Sequence, residues 1–482
     1  MTTLDASVEA HRLIARFLRS HNYHDALSSF LREAAEANPR LTRLDAPSTD
    51  GGHDFQDIVE DWVGNRLARL KVDDPTTPLL DQMAKLELLG KLPDVVRTAF
   101  KETTNVLTVN RGVLPRRSWD SSELRFKSEL VPCIFTTTVA RTVNMYSSET
   151  FDLLDSFSLP SPALALAQHP TQDSARYVVC ATMEGSLTVL DLVSRQVVVK
   201  VKDHTKYVVR ATWSPDGRYI ATLGYDKLIH LYRFSLSSPS PADEPALLDG
   251  EVPDSLASNP TVSLTLVRTD TARTNPEAAV FLPDSTWLVW AARDDHLLHY
   301  LQVPDEGKEE DEAAWATEEH NLNENGDAFV SFSVLSIGLH PTLPLLSLQT
   351  DTSNARILLY PFHSSTRLLT LHTTASQSEY FNPRHAWLPS GAGVIVNSED
   401  GVVRIVDLQG RVRVQKGAHG PAAPLEGADA EGESEELKSA RARARREADK
   451  GSSVIRDVEV LPCEGGWKVL SGGFDKTVKV LE

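Results

Sequence analysis

Apolar and polar residues alternate in short runs along most of the chain, and turn residues separate these runs. Residues 203–234, DHTKYVVRATWSPDGRYIATLGYDKLIHLYRF, contain three runs rich in β-branched and aromatic side chains, which SPDG and GYD divide. Alternation over roughly four to eight residues between turn signals is typical of β-strands. The segment therefore predicts three antiparallel strands joined by tight turns.

One pattern, a turn residue followed by a strand that ends in a bulky residue six positions later, recurs along the chain. The copies are ARTVNMY (140–146), EGSLTVL (184–190), DKLIHLY (226–232), DHLLHYL (295–301), NARILLY (354–360), DGVVRIV (400–406) and DKTVKVL (475–481). Their successive spacings are 44, 42, 69, 59, 46 and 75 residues. The three long intervals contain insertions unlike strands, at about 235–260, 304–327 and 421–453. Without the insertions the period approaches the ~40–45 residues of a four-stranded repeat, which predicts seven such repeats.

The repeating segment resembles the blade of a WD-repeat β-propeller. The resemblance implies a mainly β fold: a seven-bladed WD-repeat-like propeller over residues 105–482, with an α-helical module at the N-terminus. In that family a histidine, a hydroxyl residue and an aspartate link the strands of a blade through structural hydrogen bonds. The matching positions are His204, Thr222 and Asp226 in the third blade and His419, Ser471 and Asp475 in the seventh.

The ring has to close, because each four-stranded blade has two apolar faces and needs a neighbour on both. The sequence ends on the third strand of the last blade, so we predict that the missing outer strand comes from residues 105–119. Residues 78–92 and 93–103 have amphipathic spacing and are predicted to be helical. They belong to a linker and helical connector over residues 39–104, whose helices either extend an N-terminal dimer or pack on the propeller.

The N-terminal segment 8–34 has apolar residues at helical spacing on both sides of a break at residues 21–22. It resembles the lissencephaly-1 homology (LisH) motif, a dimerisation module, and this resemblance implies that residues 1–38 form a homodimer. The side chains implied in the contact are Leu13, Ile14, Phe17, Leu18, Tyr23, Ala26, Leu27 and Phe30. The alternative is that this hairpin folds back on its own chain.

Charge and composition narrow the class of protein. The net charge is −18, and much of it lies in the acidic insertion at 304–327, which reads as a solvated loop. This balance argues against a broad nucleic-acid surface, which needs clustered lysine and arginine. The three cysteines are isolated, and no signal peptide or apolar stretch of about 18 residues is present. We expect a cytoplasmic or nuclear protein that does not enter a membrane.

The sequence offers little catalytic chemistry. It contains no glycine-rich phosphate loop, no Cys/His set with metal-ligand spacing and no nucleophile elbow, so we predict no catalytic residue, no cofactor and no metal. A catalytic propeller would also need charged residues that converge in its central channel, and the sequence alone does not locate them. Two aromatic residues that precede turn acids, Tyr225 and Phe474, are candidate partner-binding residues, although they could instead cover neighbouring blades.

These features predict a non-enzymatic dimeric scaffold that presents a propeller surface to other proteins in a multiprotein assembly. The family resemblance is compatible with cytoskeletal-motor regulation, a ubiquitin ligase or a nuclear regulatory complex, and does not choose among them. The alternative is a nucleic-acid-associated or RNA-processing subunit that uses the basic segment Arg441–Arg446. A catalytic propeller is the third and weakest interpretation.

Overall fold

The computed structural model describes residues 11, 14–15, 18–19, 23–37, 77–88, 91–122, 125–237, 260–305, 307–309, 314–323, 326–352, 355–378, 381–420, 453–463 and 465–482. Their contacts divide into two compact units, residues 1–82 and residues 83–482. No helix in these ranges is both long enough and apolar enough to cross a membrane.

The second unit is a seven-bladed β-propeller, as predicted, and each blade is a four-stranded antiparallel sheet. Blade one contains β2 (Val106–Asp120), β3 (Arg125–Thr138), β4 (Thr142–Ser147) and β5 (Leu153–Ser158). Blade two contains β6 (Ala163–Gln168), β7 (Tyr177–Thr182), β8 (Leu187–Asp191) and β9 (Gln196–Val201). Blade three contains β10 (Val208–Trp213), β11 (Tyr219–Gly224), β12 (Leu228–Ser237) and β13 (Thr261–Thr271).

The remaining blades follow the same order along the chain. Blade four contains β14 (Pro276–Phe281), β15 (Trp287–Ala292), β16 (Leu297–Gln302) and β17 (Thr317–Asn321). Blade five contains β18 (Val334–Leu339), β19 (Leu345–Thr350), β20 (Arg356–Pro361) and β21 (Leu369–His372). Blade six contains β22 (His385–Trp387), β23 (Gly393–Val396), β24 (Val402–Asp407) and β25 (Val412–Gly417). Blade seven contains β26 (Ile455–Cys463), β27 (Gly466–Gly473), β28 (Thr477–Leu481) and β1 (Val96–Lys101).

The ring closes by strand exchange, but the predicted position of the closing strand was wrong. Strand β1 pairs antiparallel with β28, from Val96 opposite Leu481 to Lys101 opposite Thr477. Residues 105–119, where we placed the closing strand, lie instead in and beside β2, the first strand of blade one. Residues 93–103 were predicted to be helical, yet they contain β1. An outer strand is solvated along much of its length, so its apolar pattern is weak and does not separate strand from helix.

A buried acid just after β1 secures the closure. Glu102 accepts hydrogen bonds from Thr136 (2.6 Å), Asn144 (2.7 Å) and the Tyr146 hydroxyl (3.0 Å), all in blade one. The Phe100 ring of β1 stacks on Tyr146 with 3.6 Å between centroids. The segment that completes blade seven is therefore also attached to blade one.

Two of the predicted insertions contain strand residues. Strand β12 continues to Ser237, and its partner β13 begins at Thr261, so the insertion at 235–260 connects the third and fourth strands of blade three. The insertion at 304–327 includes β17, the outer strand of blade four, although we predicted no strand there. Its sequence, TEEHN, carries charge on both faces because the strand lies at the outer edge of the sheet. Residues 421–452 of the third insertion lie outside the described residues.

The core lies between adjacent blades. Blades two and three enclose one cluster, in which Trp213 and Phe234 meet edge-on at 5.0 Å between ring centroids. Tyr219, Leu223, Phe281 and Trp290 contribute to the next cluster, between blades three and four. Burial on both faces explains why the second strands read as continuous apolar runs rather than as alternating ones.

The N-terminal unit contains helix α1 (His24–Ala37), and α2 (Thr77–Ala84) crosses the boundary between the two units. Within the first unit His11 stacks on Phe30 at 5.7 Å, and Ala34 is buried beside Phe30 and Leu31. In the second unit Leu88 and Leu92 pack on the core cluster of blades six and seven.

Candidate functional site: the mouth of the central channel

The residues predicted to form structural hydrogen bonds lie in two groups, and a buried histidine is at the centre of each group. In blade three His204 contacts Asp226 through Nδ1 (2.9 Å) and Thr222 through Nε2 (2.9 Å). In blade seven His419 contacts Asp475 through Nδ1 (2.9 Å) and Ser471 through Nε2 (2.9 Å). Each histidine lies in the segment that precedes the first strand of its blade. It connects that segment to the second strand and to the turn between the second and third strands.

These contacts change the acidity of the two aspartates. Burial alone would raise the pKa of Asp226, but hydrogen bonds from His204 and from the Thr205 N–H hold that pKa below its ordinary value. The pKa of Asp475 is lowered in the same way by His419, against the opposing effect of burial. Each carboxylate is engaged by the blade itself, so both sets of residues stabilise the fold.

A channel runs through the centre of the ring, and the first strands of all seven blades line it. The cavity measures about 1240 Å³ and is bordered by residues such as Val109, Ala165, Arg210, Ile337 and Asp457. At one end it meets a second cavity of about 850 Å³, and Leu164 and Arg384 line both. We name this second cavity the mouth, and the blade-three turn that carries the His204–Asp226 contact borders it at Tyr225.

Aromatic and apolar side chains form one part of the mouth. The centroids of the Tyr207 and Tyr225 rings lie 4.5 Å apart. Tyr207 is exposed and Tyr225 is half-buried. Met183 is about half exposed beside them, and Leu164 and Val209 complete this wall. The Tyr225 hydroxyl donates to Glu277 (2.7 Å), which also accepts from Arg293 Nε (2.8 Å). This hydrogen bond anchors the Tyr225 side chain at the edge of the cavity.

Three arginines from distant parts of the sequence converge where the mouth meets the channel. Arg210 lies on β10, Arg384 directly precedes β22, and Arg456 lies on β26. Burial lowers the pKa of Arg210 to about 10, and burial together with the charges of Arg210 and Arg456 lowers the pKa of Arg384. Arginine still keeps its proton at neutral pH, so these three side chains concentrate positive charge in a confined space.

One buried acid faces the three arginines. Asp457 acts electrostatically on each of them and accepts backbone hydrogen bonds from Val109 (2.9 Å) and Val458 (3.0 Å). Burial raises its pKa, and the arginine charges oppose that effect. Two further acids line the mouth next to Ser333, whose N–H donates to Asp351 (2.9 Å) and whose hydroxyl contacts Asp294 (3.4 Å).

A serine–histidine contact in the channel does not form a nucleophile–base pair. Ser347 Oγ lies 2.6 Å from His385 Nε2, and Nδ1 of the same ring faces the amide oxygen of Gln349 rather than a carboxylate. Burial and the charges of Arg210 and Arg384 lower the pKa of His385 to about 3. A histidine this acidic is a poor general base at neutral pH, and Ser347 is fully buried.

One group of side chains on blade four and the adjoining turn of blade five has the donor types of a metal site. Glu318 Oε2 lies 2.8 Å from His363 Nδ1 and 3.3 Å from His320 Nε2. The three residues are partly or largely exposed, and hydrogen bonds within the group account for these distances.

The structure separates the two predicted partner-binding residues. Tyr225 lies in the wall of the mouth, whereas Phe474 is half-buried in a turn of blade seven and its N–H donates to the Val454 carbonyl (3.0 Å). The sequence interpretation also missed the converging charges of the channel. Its available signal was a charged residue near the start of an otherwise apolar first strand, as at Arg210 in VVRATW and Arg456 in IRDVEV.

The structure describes some, but not all, of the residues of the implied dimer contact. Leu13 and Phe17 lie outside the described residues, as does the basic segment 441–446. Tyr23 is 53% exposed and Ile14 is 37% exposed, and Ala26 is also exposed. Leu18, Leu27 and Phe30 are half-buried.

Comparison with known proteins identifies the repeat type of one blade. The sequence model of the family described as "WD domain, G-beta repeat" matches residues 195–233, which span the outer strand of blade two and the first three strands of blade three. A segment of 90 residues is 31% identical to Echinoderm microtubule-associated protein-like 2 of Rattus norvegicus. That segment covers 19% of this chain and 13% of the relative. The fold is thus a seven-bladed β-propeller, and its third blade has the sequence of a WD repeat.

Proposed function

We propose that this protein is a non-enzymatic scaffold that binds a partner protein at the mouth of its propeller channel. The observation that carries the proposal is the Tyr207–Tyr225 pair at the edge of an open cavity, next to the exposed Met183. Aromatic residues and methionine are enriched in the centres of protein interfaces, where large and partly rigid side chains lose little entropy on binding. WD-repeat propellers typically act as protein-interaction scaffolds, which agrees with this use of the mouth.

Dimerisation is the second part of the proposal. Apolar side chains are partly exposed in α1 and just before it, among them Leu27 and Tyr23, and they support an N-terminal contact between two copies of the chain. Two propellers held by one dimer raise the effective concentration of the second contact, so a weak partner site gains strength without new contacts.

Tubulin polymer is one partner that can be tested. The relative reported above is named for association with microtubules, and co-sedimentation of the full chain with polymerised tubulin tests that partner directly. If the full chain is retained in the pellet and Tyr225→Ala abolishes that retention, the result would assign a microtubule partner to the mouth.

Co-purification with quantitative mass spectrometry tests the proposal. The bait is the tagged full chain, and the test variant is Tyr225→Ala. The matched control is Trp119→Ala, which alters a 53% exposed aromatic residue next to the β2–β3 turn, on the face opposite the mouth. We expect a set of partners that Tyr225→Ala loses and Trp119→Ala retains, at equal melting temperatures. Equal recovery of every partner with both variants would contradict binding at the mouth.

A further inference from the structure

Two histidines and a glutamate come together where blade four meets blade five. Glu318 and His320 lie two residues apart on β17, so their side chains project from the same face of that strand. His363 lies in the turn after β20, in the next blade, and contacts Glu318. We name these three residues the Glu–His–His cluster. They lie outside the sets of residues that line the channel and the mouth.

The donor atoms of the cluster are close to the spacing that a zinc ion requires. Glu318 Oε2 lies 2.8 Å from His363 Nδ1 and 3.3 Å from His320 Nε2. One donor atom from each residue lies within 4.8 Å of the other two. Ligand atoms placed tetrahedrally at about 2.0–2.1 Å from zinc are about 3.3 Å apart. Rotation of the side chains can close the remaining difference, so the backbone need not move.

Aromatic residues hold the two imidazole rings in place. The Tyr300 ring is buried, and its centroid lies 5.0 Å from that of His320 and 4.7 Å from that of His363. The backbone N–H of His363 donates to the Tyr300 hydroxyl (3.2 Å), and Trp287 packs edge-on against the His363 ring at 4.9 Å between centroids. His363 also has a φ of +52°, a left-handed conformation that is uncommon outside glycine and costs free energy. The fold therefore positions both rings before an ion binds, which lowers the entropic cost of binding.

The donor types and the exposure of the cluster favour zinc. Imidazole nitrogen and carboxylate oxygen are ordinary zinc ligands, whereas calcium and magnesium prefer oxygen alone and Cu(I) prefers sulfur. The side chains of Glu318, His363 and His320 are 41%, 34% and 18% exposed, so an ion can enter from solvent and a water molecule can take the fourth position. A zinc ion would replace the hydrogen bonds that join the carboxylate to the two rings.

We propose that Glu318, His320 and His363 bind a zinc ion, with water as the fourth ligand. Glu318 and His363 are 45 positions apart in the sequence, so the ion joins the outer strand of blade four to the next blade. Because the unfolded chain does not hold these ligands together, bound zinc stabilises the folded ring. The sequence alone gives no sign of this site, since a Glu-x-His pair and one distant histidine match no metal motif.

Equilibrium dialysis of the full chain against zinc tests this proposal. The protein carries no polyhistidine tag and is first stripped with EDTA, and its bound metal is measured by mass spectrometry. The test variant is His363→Asn, because asparagine tolerates the left-handed backbone but is a poor zinc ligand. The matched control is His372→Asn, the same change at an exposed histidine on β21 of the same blade. We expect wild type and control to retain one more zinc ion per chain than the variant, whose affinity at the cluster should fall by about tenfold or more.

A second variant and the melting temperature separate zinc binding from folding. Glu318→Gln keeps the shape of the side chain but removes its charge, so it should also lose the ion while melting close to wild type in EDTA. Added zinc should raise the melting temperature of wild type and His372→Asn, but not that of Glu318→Gln. Equal zinc content in wild type, His363→Asn and Glu318→Gln would overturn the proposal, and so would a wild-type chain that binds no zinc. Neither result bears on partner binding at the mouth, because the cluster lies outside it.

Discussion

The Arg97 guanidinium contacts the Glu482 carboxylate at 2.8 Å, although 385 positions separate the two residues. This ion pair is half-exposed and adds little stability by itself. Its importance is topological, because it lies beside the ladder between β1 and β28 that joins the ends of the ring. Closure of the propeller therefore depends on a six-residue strand that precedes blade one.

Removing β1 should destabilise the whole ring. A chain that starts at residue 103 loses the five-residue pairing to β28 and the Phe100–Tyr146 stack, and exposes the edge of blade seven. We expect the free energy of unfolding to fall by about 3–5 kcal/mol, at roughly 1 kcal/mol for each lost backbone hydrogen bond, measured by urea denaturation. A chain that starts at residue 83, the beginning of the second unit, is the control and should unfold like the full-length ring. Equal stability of the two truncations would contradict strand exchange.

Much of the ring could be predicted from sequence, because the third strand of each blade follows a turn residue and ends in a bulky residue at a fixed spacing. The seven copies of that pattern correspond to β4, β8, β12, β16, β20, β24 and β28. The closing strand could not be placed, since VRTAFK carries polar residues on both faces and fits a helix equally well. The arginine cluster could not be predicted from sequence for another reason, because residues 210, 384 and 456 come together only after the ring closes.

The His204–Asp226 contact should make stability depend on pH. The folded-state pKa of Asp226 is lower than its ordinary value of 3.8, so the ionised carboxylate stabilises the fold above about pH 4. That contribution disappears as the pH falls through the lower, folded-state pKa. We expect Asp226→Asn to lower the free energy of unfolding by about 2 kcal/mol at pH 7, and the difference from wild type to narrow below pH 4.

The exposed Asp173 provides the control for that measurement. Asp173→Asn should change the free energy of unfolding by less than about 0.5 kcal/mol at either pH. A gap between wild type and Asp226→Asn that stayed constant from pH 7 to pH 3 would show that the carboxylate charge is not what stabilises blade three.

The two residues of a buried ion pair in blade two should not contribute independently to the free energy of unfolding. Arg176 donates to both carboxylate oxygens of Asp191 (2.8 and 2.6 Å), and both side chains are less than 5% exposed. Arg176→Met leaves Asp191 as an unpaired buried charge and should cost about 3–5 kcal/mol in urea denaturation. Adding Asp191→Leu should recover most of that loss. Strictly additive effects of the two substitutions would exclude energetic coupling between them.

If α1 forms the dimer contact, a charged substitution in that contact should lower the mass of the particle in solution. In a dimer through α1, Leu27→Asp places a charge in an apolar contact, and light scattering should report the 53.1 kDa chain mass instead of twice that value. Ser29→Asp, an exposed position on the same helix, should leave the dimer intact. A wild-type chain that already has the monomer mass would rule out dimerisation.

We propose that a partner protein occupies the mouth of the channel. Hydrogen–deuterium exchange of the full chain, with and without the captured partner, tests it most directly. With the partner bound, we expect slower exchange in the segments that border the mouth, around Tyr207, Tyr225, Arg384 and Arg456. Protection confined to outer strands such as β9 or β13, with unchanged exchange at the mouth, would contradict it.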